Sequence, residues 1–79
     1  MRLVKFAALL TPKEKKEHPD GLPCYVNANL VSAITGGYLE DEKNPGDVIH
    51  GTIIYLTDGT EVSVEEDAET VANRLMKAS

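Results

Sequence analysis

Four kinds of side chain here could do chemistry: one cysteine, two histidines, a run of carboxylates and a run of lysines. Cys24 could act as a nucleophile only beside an activating base, and His18 and His50 are the two imidazoles on offer. A single cysteine among apolar neighbours reads more simply as core filler. His50 sits in a strand-like run and reads as an ordinary strand residue. Glu40-Asp41-Glu42 puts three carboxylates in succession, whereas a calcium loop needs oxygens alternating around a required glycine. No set of Cys and His has the spacing of a zinc site. Lys13, Lys15 and Lys16 cluster, but Glu14 and Glu17 interrupt them, which marks a solvated face. No catalytic, metal-binding or cofactor-binding residue is assigned, and a non-enzymatic protein is expected.

The elements that would position these groups follow from periodicity and turn chemistry. Residues 2–11 read as a strand, with Val4, Phe6, Ala8 and Leu10 on one face and Leu3, Ala7 and Leu9 on the other. Two apolar faces suggest a central strand, or one covered by a partner. Residues 12–23 are rich in charge and breakers, so a loop is expected, with one helical turn from Pro12 to Lys15. Residues 24–27 form a short strand. Asn27 then suits the cap of a single turn that carries Leu30 inward. Residues 31–39 resume as a strand in which Gly36-Gly37 predicts a bulge or bend. Asn44-Pro45-Gly46 has the order of a type II turn, so 31–39 and 48–57 should form a hairpin with an acidic tip.

Residues 48–57 are the strongest strand and the expected centre of the sheet, with Ile49, Ile53, Ile54, Tyr55 and Leu56 spread over both faces. Asp58-Gly59 closes a hairpin onto residues 60–65. A two-residue loop pairs Tyr55 with Val62; a three-residue loop over Thr57–Gly59, with Gly59 left-handed, pairs Ile54 with Val62. Both lengths fit, and the apolar match of Ile54 and Leu56 with Val62 and Val64 favours the second. A helix over 67–77 starts at Asp67 as N-cap, with Glu69 in the first turn and a packing stripe of Ala68, Val71, Ala72 and Leu75. The expected fold is a single α+β domain, a mostly antiparallel sheet of four to five strands with one C-terminal helix packed on it.

Composition limits the partners. Seventy-nine residues make one small domain whose core is marginal, and one cysteine allows no internal disulfide. Association with another copy or another protein, through a sheet edge or an apolar sheet face, is therefore expected. The net charge of −5 disfavours nucleic acid and anionic membrane. Phe6–Leu10 is too short an apolar run for a secretory signal, and nothing approaches the length of a membrane span. A cytoplasmic location is expected.

Three resemblances add to this reading. His18-Pro19-Asp20 copies the tripeptide of J-domain co-chaperones; there it lies between two long helices, whereas here Gly21 and Pro23 follow and a turn is expected. Tyr25-Val26-Asn27, then Leu30, Val31 and Ile34, then Ile53 to Gly59, Val62, Val64, Val71 and Leu75 resemble the FlbD-like family of small flagellar and swarming-motility proteins. That resemblance spans residues 25–75 and implies a small non-enzymatic accessory or regulatory protein with no catalytic residues. The 12–23 loop and the 40–47 excursion depart from it as insertions. The second half is also similar to the tail of LytTR-type DNA-binding domains, which implies the alternative of a nucleic-acid-binding module. The basic residues of the matching segment are Lys43, Arg74 and Lys77, and apart from that resemblance Arg2, Lys5, Lys13, Lys15 and Lys16 could form one basic patch.

Overall fold

The computed structural model describes residues 2–40 and 48–78. Among them the order is β1 (Leu3–Ala7), α1 (Pro12–Glu17), β2 (Pro23–Asn27), a 3-10 turn (Ala28–Leu30), β3 (Val31–Glu40), β4 (Val48–Leu56), β5 (Glu61–Val64) and α2 (Ala68–Ala78). This is the expected α+β fold: antiparallel strands with a C-terminal helix against them. The Asn44-Pro45-Gly46 turn and the acidic residues 41–47 lie outside the described residues.

The strands form two ladders, β1–β2 and β3–β4–β5, in place of one continuous sheet. The first strand explains the division. Residues 3–7 pair with β2 from Leu3–Asn27 to Ala7–Pro23. The chain then leaves β2, and Ala8 bridges Val64 of β5. The carbonyl of Ala7 accepts from the N–H of Glu65 at 2.8 Å, and the N–H of Leu9 donates to the carbonyl of Ser63 at 3.0 Å. The strand expected over 2–11 is thus shortened, its continuation handed from one ladder to the other. Its apolar character on both faces has this cause.

Four local expectations need correction. The 12–23 loop holds a six-residue helix, α1, because Thr11 and Glu14 form a reciprocal capping box around Pro12 at the first position. Leu30 is not inward but 44% exposed; Val31 is the half-buried residue that packs on the core. The irregularity in β3 falls between Val31 and Ala33, and Gly36-Gly37 runs through a regular ladder opposite Thr52 and Gly51. The strand expected over 60–65 is trimmed to Glu61–Val64.

The β4–β5 hairpin has the three-residue loop. Ile54 pairs with Val62 and Thr52 with Val64. The N–H of Leu56 reaches the carbonyl of Thr60 at 2.9 Å, and Gly59 takes φ +90°, the left-handed conformation that a glycine adopts without strain. β4 is the middle strand of its sheet, as its two-sided apolar pattern predicts. The Asn27 cap forms as expected, its Oδ1 accepting from the N–H of Asn29 at 3.0 Å.

On one face of the β4–β5 ladder, Ile54 and Val64 are fully buried and meet Phe6, Val26, Val71 and Leu75. α2 supplies Val71 and Leu75 one turn apart, with Ala68 and Ala72 half-buried beside them, the stripe that a helix of period 3.6 lays against a sheet.

Candidate interaction surface

The chemistry-bearing residues are distributed over separate elements. Cys24 lies in β2 opposite Phe6, His18 caps the end of α1 with its N–H on the carbonyl of Glu14, and His50 lies in β4 opposite Tyr38. Burial pushes the Cys24 thiol above its ordinary value, and the negative charge of Glu66 adds to the effect. A thiol so shifted is held in its protonated, less nucleophilic form. No group of three His, Cys, Asp or Glu among the described residues could hold a metal ion. No described helix is long and apolar enough to cross a membrane.

A strongly built polar site among the described residues was not expected from the sequence. Glu66 sits in the turn between β5 and α2, and both its carboxylate oxygens accept from the N–H of Ala7 at 3.1 Å. Arg74, two turns along α2, donates from Nη1 to the same carboxylate at 3.0 Å and to the carbonyl of Lys5 at 3.3 Å. Its guanidinium also stacks 5.7 Å above the ring centre of Phe6. Beneath, the hydroxyl of the fully buried Thr52 donates to the Glu66 carbonyl at 2.7 Å. Glu66 therefore ties β1, β4 and α2 together at one point. Its carboxylate is occupied by these donors, which make it a clamp between the elements.

An open groove of about 380 Å3 runs past this clamp. Its charged lining is Lys5, Lys15 and Arg74 against Asp20, Glu65 and Glu66. Equal numbers of each sign give it no net field for an anion or a cation. Lys5 and Lys15, two members of the suggested basic patch, are among these interspersed carboxylates.

The remaining feature is the sheet edges. The outer edge of β2 is five residues long and begins at Pro23, which has no N–H to offer an incoming strand. The outer edge of β3 is ten residues long, and β4 is its neighbour in the described sheet. Ser32, Ala33, Thr35, Gly36 and Tyr38 along it are all exposed. Natural edges of this length are usually blunted by lysine, proline, a β-bulge or a covering loop; β3, Val-Ser-Ala-Ile-Thr-Gly-Gly-Tyr-Leu-Glu, contains neither lysine nor proline, and its bulge is confined to one end, between Val31 and Ala33.

No family model, no curated protein and no solved structure matches this chain.

Proposed function

We propose that this protein is a non-enzymatic interaction module that binds another polypeptide by adding a strand to the open edge of β3. The carrying observation is that edge: ten residues of strand, paired on one side by β4, without lysine or proline. Such an edge offers a row of unpaired N–H and C=O groups, and an added strand gains main-chain hydrogen bonds while side-chain pairs set specificity. The non-enzymatic part draws support from the raised Cys24 pKa and from the donors that occupy Glu66. The accessory role implied by the FlbD-like resemblance over residues 25–75 agrees with it. The interspersed charges of the groove favour a protein partner over nucleic acid. A free Cys24 thiol suits the reducing cytoplasm.

A photo-crosslinking residue placed at Thr35, in the cell the protein comes from, tests this reading. Polypeptide adducts are expected from Thr35 and none from the same residue at Asn73, which is exposed on α2. No adduct at Thr35, or equal yields at both positions, overturns it.

A further inference from the structure

We infer that the strand received by β3 is β3 of a second copy, running antiparallel with Thr35 opposite the partner's Thr35. This rests on the edge-binding reading above and names its occupant. The regular part of the edge begins at Ala33, since the bulge between Val31 and Ala33 interrupts the ladder at one end. A pairing centred on Thr35 uses residues 33–37 of each copy and needs nothing from the bulge.

Side-chain sizes select that register. With Thr35 at the centre, Ile34 faces the partner's Gly36, and Ala33 faces the partner's Gly37. A Cβ at Gly36 would meet nothing within 4 Å, so there is room for the large Ile34 side chain. At Gly37 the space is already taken, because the side chain of Ile53 stands 2.6 Å from where a Cβ would be. Only a small residue fits opposite, and Ala33 is one. Thr35 against Thr35 is itself a favourable β-branched cross-strand pair. A shift by one residue would put the buried faces of the two copies on opposite sides of the joint sheet. Centring instead on Gly36 sets glycine against glycine and Ile34 against the partner's Tyr38, filling the space less well.

Charge points the same way. The chain carries a net −5, yet β3 has no charged residue before Glu40 at its end. The product is a six-stranded sheet, β5-β4-β3 of one copy continued by β3-β4-β5 of the other, with both apolar faces on one side.

Sedimentation equilibrium of the full chain tests this, comparing wild type with Thr35→Lys and Thr35→Glu. Thr35 is exposed, and circular dichroism checks that each variant keeps its fold. Wild type should show a reversible monomer–dimer equilibrium. Each variant should raise the dissociation constant by about fivefold or more, because like charges then face each other across about 5 Å. An equimolar mixture of the two variants should recover dimer beyond either alone. Wild type monomeric at every concentration, or both variants as dimeric as wild type, overturns the inference. A monomeric wild type that still gives Thr35 adducts in the cell removes the second copy and keeps the edge; no adducts remove the edge itself.

Discussion

Asp67 shows how much of this fold depends on a single carboxylate in the right place. Its side chain accepts from the N–H of Thr70 at 2.7 Å, and its carbonyl accepts from the N–H of Val71 at 2.9 Å, so it opens α2 as N-cap. Those hydrogen bonds, the Thr70 N–H first and the Thr70 hydroxyl next, hold the Asp67 carboxyl below its ordinary 3.8. Asp58 is lowered in the same way, first by the side chain and then by the N–H of Thr60. A carboxyl whose folded pKa lies below its unfolded value binds protons more tightly when unfolded. Its stabilisation is therefore fully present above pH 3.8 and is lost as pH falls through the folded pKa. Asparagine caps a helix about as well as aspartate but does not titrate. Asp67→Asn should thus leave Tm near wild type at pH 6 and reduce the loss of Tm between pH 5 and pH 3, followed by circular dichroism. An undiminished acid loss would show that this cap does not contribute to the pH dependence.

At the scale of elements, the join between the two ladders depends on a glycine. A Cβ at Gly51 would collide with the backbone carbonyl of Val64 and stand 3.2 Å from both methyls of Leu9. Val64 is the residue bridged by Ala8, so its carbonyl cannot move without disturbing the contact between β1 and β5. Gly51→Ala should cost about 1–3 kcal/mol in urea unfolding; a change under about 0.5 kcal/mol would mean that the join yields. This join also marks where the sequence stops being legible. The alternation of Glu61–Val64, the Asp58-Gly59 loop, the Asn27 cap and the stripe of α2 are local patterns, and each reads directly. The hand-over at Ala8 is set by a contact 56 positions away, and no period in residues 2–11 reports it. The Glu66–Arg74 clamp escapes for a similar reason, since its third member is a backbone N–H on β1. α1 is a different case: Thr11 and Glu14 spell a capping box, but the charges and prolines around it read as a loop. The edge of β3, open among the described residues, is foreshadowed only in the general expectation that a sheet edge or an apolar face associates.

For the molecule as a whole, the decisive quantity is the size of the core. Six buried apolar side chains, Phe6, Val26, Ile54, Val64, Val71 and Leu75, carry the described core, and a chain of 79 residues buries too little surface to be strongly stable alone. Association through β3 would add stability by mass action, because the folded form binds a second copy and the unfolded form does not. Well above the dissociation constant, each tenfold rise in protein concentration should stabilise the fold by about 0.7 kcal/mol per chain. For a domain of this size that corresponds to a Tm increase of about 3–6 °C. Thr35→Lys weakens the association without touching the core, so its Tm should lie below the wild-type value where the wild type is dimeric and meet it at the dilute end. Scanning calorimetry over two decades of concentration reads both slopes at once. Coincident curves for wild type and Thr35→Lys would place the stabilising contact somewhere other than the β3 edge, and two flat lines would leave the small core sufficient by itself.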